Sequence, residues 1–171
     1  MNEKTSSLPQ RKHPRLKDYA YNENGSYYVT ICTANRKCLL SCVVGRGLAP
    51  AVVELSAYGK IAKEQLLLLE KRFVGVKIAA YVIMPNHIHA IITLSDMAAG
   101  ASPRPTLTDV VCVFKSLTTA ECKKVKNADK IFQTSFYEHV IRSDTDYAEI
   151  YDYIKYNPDR WHEDKLYPRN A

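Results

Sequence analysis

The order of apolar and polar positions divides the chain into a few elements. Tyr27–Thr33 (YYVTICT) is rich in β-branched and aromatic residues and follows a Gly-Ser turn signal, which predicts a strand. Gly45–Pro50 reads as a loop. From about Ala51 to Phe73, Leu55, Ile61, Leu66, Leu69 and Phe73 recur among good helix formers and predict a helix. Val76–Met84 reads as a buried strand, Pro85-Asn86 as a turn and His87–Leu94 (HIHAIITL) as a second strand, together a tight β-hairpin. Ser95–Pro105 reads as a flexible loop. Thr106 to about Val125 carries the stripe Leu107, Val110, Val111, Phe114 and Leu117, with Thr106 or Thr108 as its cap, and predicts a second helix. Phe132–Val140 is a further strand candidate. Ser143, with Asp146 three residues on, opens a last helix. Its apolar stripe is Tyr147, Ile150, Tyr151 and Ile154, residues expected to pack, and Pro158 stops it.

The order β-α-β-β-α-β with an added C-terminal helix predicts an α+β fold of the split-βαβ, ferredoxin-like type. One antiparallel sheet carries two helices on one face. No internal repeat is visible. Residues 1–18 form a polar, basic segment, and residues 19–171 read as one domain.

The length of 171 residues fits one domain, and 46% hydrophobic with 25% charged residues excludes a mostly disordered chain. No apolar run approaches the ~20 residues that span a membrane, since Lys77, Pro85, Asn86 and two histidines break Val76–Leu94. The N-terminal residues MNEKTSSLPQRKHPRLK hold no apolar core and do not read as a secretory signal, so a cytoplasmic, nucleoid-associated protein is expected. The five cysteines then read as reduced thiols. Cys38 and Cys42 have no histidine nearby in sequence to complete a zinc site.

Charge changes the picture more. The formal net charge is +6, unevenly placed. Residues 1–17 carry five basic groups and one acid, and residues 115–130 five lysines and two acids, whereas residues 138–164 carry eight acids and three bases. Two basic blocks suggest a polyanion, most simply nucleic acid; the alternative is a solvated surface with a basic tail. Arg11, Lys12, Arg15 and Lys17 in the first block, and Lys115, Lys123 and Lys124 on the second helix, are the candidate contacts to a DNA backbone.

The sharpest chemical feature is His87-Ile88-His89. Alternate residues of a strand share a face, so the two imidazoles stand side by side while Ile88 faces the other way. Such a pair can hold one divalent metal; it can also be two histidines on an exposed sheet face without a ligand. The second feature is Tyr153-Ile154-Lys155-Tyr156-Asn157-Pro158 at the end of the last helix. Tyr153 and Asn157 are one turn apart on one face. The Asn157 carbonyl can supply a third, oxygen ligand, which would bring the Tyr153 phenol to the metal. A phenol is a poor nucleophile near its free pKa of ~10, and a metal on the phosphate makes its attack feasible. Of the tyrosines in this helix, Tyr153 lies off the apolar stripe.

MPNHIHAII with YIKYNP resembles the HUH single-strand transposases, and more closely the REP-associated tyrosine transposase group. RLKDYAYNENGSYYVTICTANR resembles the opening strand region of that group. The Phe114-Lys115-Ser116 helix and FQTSFYEHVIR resemble its second helix and last strand, so the likeness runs from about Arg11 to Trp161. It implies a domain that cuts and rejoins single-stranded or hairpin DNA. It also implies His87, His89 and Asn157 as ligands of Mg2+ or Mn2+, and Tyr153 as the nucleophile that becomes linked to a 5′-phosphate. Asn157 stands where relatives often carry Gln or another polar group, and WHEDKLYPRNA offers no clear additional DNA-binding tail. A monomer and a homodimer are both compatible, with Tyr153 serving its own chain or a partner.

Two other classes compete. One is a non-catalytic nucleic-acid binder on the same fold, stacking bases on Tyr27, Tyr28, Tyr81 and Phe136; it lacks the Gly-aromatic signature and leaves the histidine pair unexplained. The other is a metal phosphoesterase using water, which needs His87 and His89 but not Tyr153. Ile91 rather than His at the next alternating position argues against a histidine-triad hydrolase.

Overall fold

The computed structural model describes residues 24–45, 50–95, 105–125 and 130–168. The basic segment 1–18, with Arg11, Lys12, Arg15 and Lys17, lies outside the described residues, as does most of the loop read at 95–105.

Among the described residues six strands and four α-helices follow in the order β1 (Gly25–Cys32), β2 (Ser41–Val44), β3 (Val52–Leu55), α1 (Ala57–Leu67), α2 (Leu69–Arg72), β4 (Val76–Ile83), β5 (His87–Leu94), α3 (Leu107–Val125), β6 (Tyr137–Ile141) and α4 (Asp144–Tyr156). The main sheet has the order β4-β5-β1-β6 with every neighbouring pair antiparallel, the split-βαβ arrangement expected from the sequence. The hairpin 76–94 forms as read, closed by the Met84 N–H on the His87 carbonyl at 2.9 Å.

Two parts differ from the expectation. Residues 41–44 and 52–55 pair as a small second sheet, so helix α1 begins only at Ala57. Val52, Val53 and Leu55 had looked like the first turn of that helix, but Ser56 is the cap, its hydroxyl accepting from the Gly59 N–H at 3.1 Å. Gly59 itself lies against the Leu40 carbonyl oxygen, and a methyl group there would collide with it. Strand β6 is shorter than read: Phe132 makes only an isolated bridge to Thr33, and regular pairing begins at Tyr137.

Strand alternation gives the sheet two unlike faces. Tyr27, Val29 and Ile31 of β1 and Ile88, Ala90 and Ile92 of β5 point to one side and pack with Leu66 of α1 and Val110, Val111 and Phe114 of α3. This is the hydrophobic core. The register of β4 slips between Ile78 and Ala80, and this bulge lets Ile78 and, beyond it, Tyr81 and Ile83 all face that core. The other side carries Tyr28, Thr30 and Cys32 of β1 opposite Ile91, His89 and His87 of β5. Helix α4 and the segment after it lie on this side.

Candidate active site

Helix α4 starts at Ser143, whose hydroxyl accepts from the Asp146 N–H at 3.1 Å, and acidic Asp144 and Asp146 occupy its first turn. Pro158 ends it. Turn bonds from Arg160 N–H to Asn157 O (3.2 Å) and Trp161 N–H to Pro158 O (3.3 Å) fold the chain back, so that Trp161 and Asp164 return to the histidines. The Trp161 ring lies 5.7 Å from that of His87. The histidine pair is therefore buried, His87 at 0% and His89 at 3% exposure, and not spread on an open sheet face.

The two imidazoles face each other with centroids 4.4 Å apart. Nε2 of His87 lies 4.0 Å from Oδ2 of Asp164, and one ligand atom from each of His87, His89 and Asp164 falls within 4.8 Å of the others. Tyr153 places its hydroxyl 3.5 Å from His89 Nε2 and donates to Asp164 Oδ2 at 3.3 Å. Asn157 donates through Nδ2 to the same oxygen at 3.1 Å. Four residues named from the sequence as metal ligands or nucleophile thus meet at one point of a single chain.

Asp164 is the residue that sequence reasoning missed. It lies past the helix-stopping proline, in a stretch that reads as tail. The signal available was only an acidic pair after Trp161. Also missed were three groups behind the histidines. Tyr28 Oη and Thr30 Oγ1 stand 2.7 and 2.9 Å from His89 Nδ1, and Asn86 Oδ1 stands 2.8 Å from His87 Nδ1.

The electrostatics suit a cation. Burial pushes the His87 imidazole down to about 4 against the opposing pull of Asp164, and burial followed by His87 pushes His89 well down. Both imidazoles are neutral at neutral pH. Burial, then the Asp164 carboxylate, raises the Tyr153 phenol to about 12. Burial likewise raises the Tyr28 phenol well above its usual range. Two buried atoms facing this cluster, His87 Nε2 and Asn157 Oδ1, have no hydrogen-bond partner. A carboxylate, two imidazole lone pairs and an orphaned carbonyl form the donor set of a divalent metal.

The site opens into a cleft of about 860 Å³, whose walls include Tyr28, Tyr153, Tyr156, Arg160 and Lys165. The α3 lysines sit elsewhere, since α3 packs on the opposite face of the sheet. Lys115 gives its ammonium to the carbonyls of Gln133, Thr134 and Ser135 at 3.0 to 3.2 Å, and Lys124 pairs with Glu121 at 2.7 Å. Lys123 lines a separate groove with Lys130. The expected stripe of α4 does not form as a buried face: Ile154 is its one buried residue, and Tyr151 is exposed and stacks with Tyr147 at 6.4 Å. Cys38 and Cys42 are exposed, free thiols.

Compared with models of known protein families, the chain matches none. Among curated proteins it is 29% identical over 138 residues to a REP-associated tyrosine transposase of Escherichia coli, covering 81% of this chain and 68% of that one. The chain is thus similar over most of its length to REP-associated tyrosine transposases. A protein of Haemophilus influenzae without an assigned function is 30% identical over 95% of this chain and 96% of its own length. The fold is that of a solved REP-associated tyrosine transposase bound to a REP hairpin, with a TM-score of 0.62 at 22% identity over 88% of this chain and 76% of the other. No helix among the described residues is long and apolar enough to cross a membrane.

Proposed function

We propose that this chain is a metal-dependent single-stranded DNA transposase and endonuclease of the HUH type, cutting and rejoining hairpin-associated DNA through a 5′-phosphotyrosine at Tyr153. The observation that carries this reading is the Tyr153 hydroxyl standing 3.5 Å from His89 Nε2 and 3.3 Å from Asp164, beside the two buried histidines. A relative in complex with a REP hairpin supports hairpin DNA as the substrate class.

His87 and His89 through Nε2, with an oxygen of Asn157 or Asp164, would hold Mg2+ or Mn2+, ions that accept oxygen-rich, partly open sites. Bound there, such an ion polarises a phosphate and offsets the charge that builds on it. Tyr153 Oη attacks the phosphorus, a bond forms between that oxygen and phosphorus, and the bond to the 3′ oxygen breaks. Asp164, already accepting the Tyr153 hydroxyl hydrogen, takes the phenolic proton, and the 3′ oxygen leaves as a hydroxyl after gaining a proton from water. Attack of a 3′-hydroxyl on the same phosphorus reverses the step and rejoins DNA. Tyr153 serves the histidines of its own chain, which a monomer or a homodimer can do.

Arg11, Lys12, Arg15 and Lys17 contact DNA backbone, as do Lys123 and Lys124 of α3, which stand away from the cleft. Lys115 does so only by releasing the three carbonyls it now holds. Affinity should fall steeply with salt, with about one ion released per phosphate contacted.

The test is labelled hairpin DNA incubated with Mn2+, followed by mass analysis of the protein. A covalent adduct on Tyr153, lost in Tyr153→Phe, supports the proposal. Metal-dependent cleavage without an adduct would make it a water-using phosphoesterase, and binding without cleavage would make it a binding module.

A further inference from the structure

We propose that Asn86 is a positioning residue that fixes the tautomer of His87 and fastens the segment bearing Asp164 to the metal-binding strand. The inference rests on the metal-site reading above, and reaches a residue that reading does not use.

The argument is one of donors and acceptors. The Leu166 carbonyl can only accept, so the Asn86 atom 2.7 Å from it is the amide nitrogen. The amide oxygen of Asn86 therefore faces His87 Nδ1, at 2.8 Å. That oxygen can also only accept, so the hydrogen of His87 resides on Nδ1. The lone pair is then on Nε2, the buried and unpartnered nitrogen 4.0 Å from Asp164. His89 is held differently: its Nδ1 faces two hydroxyls, Tyr28 Oη at 2.7 Å and Thr30 Oγ1 at 2.9 Å, each able to donate or accept, so only His87 has its hydrogen placed by a group that can do nothing but accept. Groups behind metal-binding histidines commonly hold the ring in this way.

Asn86 does more than orient a ring. Its nitrogen holds Leu166, the Leu166 N–H holds Asp164 Oδ1 at 2.6 Å, and Asp164 Oδ2 receives Asn157 and Tyr153. One buried amide, 1% exposed, thus links the ligand on β5 to the carboxylate, the third-ligand candidate and the nucleophile. The two functions can be separated chemically. Asn86→Asp keeps an acceptor for His87 but cannot donate to Leu166, and Asn86→Ala loses both.

The experiment uses the full chain with 15N-labelled histidine. Nitrogen NMR of the metal-free wild type at neutral pH should show His87 with hydrogen on Nδ1, and the same in Asn86→Asp. In Asn86→Ala the His87 signals should shift toward a mixture of tautomers. Mn2+ binding followed by electron paramagnetic resonance should weaken by about 10–100-fold in Asn86→Ala, with Asn86→Asp between it and the wild type. Hydrogen on Nε2 of His87 in the wild type overturns the proposal without any variant. So does unchanged Mn2+ affinity in folded Asn86→Ala. A wild type that shows the stated tautomer yet binds no Mn2+ defeats the metal reading and leaves the positioning role of Asn86 in place.

Discussion

The two faces of the main sheet are made by the same strands and behave as different materials. On one, Tyr27, Val29, Ile31, Ile88, Ala90 and Ile92 are sealed by α1 and α3, and nearly every contact is apolar. On the other, among the described residues, Tyr28, Thr30, His87 and His89 are covered by α4, Trp161 and the turn carrying Asp164, and two buried polar atoms are left without partners. The first face gains stability from area removed from water. The second gives up some of that gain to hold neutral histidines and a carboxylate at close range, a cost that makes sense when a cation and a phosphate complete the network. One residue of offset along a strand separates scaffold from chemistry.

The largest effects come from changing one face at a time. Tyr153→Phe should lower strand cleavage by about 10³-fold or more while leaving stability within about 1 kcal/mol, because it removes one hydroxyl from a half-exposed ring. Phe114→Ala should do the reverse. It deletes a ring buried at 1% exposure beside Phe132 and should cost about 3–5 kcal/mol, with cleavage per folded molecule unchanged. Denaturant unfolding and a single-turnover cleavage assay on both variants check the pair. A large stability loss in Tyr153→Phe would merge the two faces into one structural unit.

Thiol chemistry sharpens the contrast next. Burial pushes the Cys122 thiol, on the α3 side of the core, up from 9.0 to about 11, which lowers its thiolate fraction. At pH 8 it should react with a small alkylating reagent about 100-fold or more slowly than the exposed Cys112 on the same helix. Raising the pH should speed Cys122, and denaturant should abolish the difference, both readable by mass analysis of timed samples.

Gly59→Ala tests where the helical face meets the small hairpin. The new methyl meets a backbone carbonyl, that of Leu40, which cannot swing aside, and the change should cost about 1–3 kcal/mol in a urea titration. The smallest effect belongs to Tyr151→Phe, on the exposed flank of α4. It should alter stability by less than about 0.5 kcal/mol and leave adduct formation intact.

These contrasts also show what a sequence can convey here. The hairpin 76–94, the helix over Leu107–Val125 and the cap at Ser143 were legible because each carries its own local signal of period, turn residue or cap. The His87–His89 pair and the Tyr153–Asn157 step were legible as geometry within one strand and one helix. Asp164 was not, because its place depends on a reversal after Pro158 that no periodicity announces. Strands β2 and β3 are four residues each, too short for alternation to show, and Val52–Leu55 merged with the helix that follows. The packing role read for Tyr147 and Tyr151 failed for a related reason. A helix stripe tells which residues share a side, but of this stripe only Ile154 is fully buried, Tyr147 and Ile150 are half-buried and Tyr151 is exposed, while Tyr153 from off the stripe meets His89.

The return of the chain after Pro158 has a consequence for how the protein is born. Synthesis runs from the N-terminus at about 5–20 residues per second. Once Ile141 has emerged, all four strands of the main sheet and both helices of its packed face exist, so the scaffold can close. Asp164 and Leu166 arrive on the order of seconds later, and only then is the histidine pair roofed over. The framework is therefore complete before the histidine pair is enclosed, and a nascent chain that stops short of Asp164 still lacks the carboxylate of the His87–His89–Asp164 cluster.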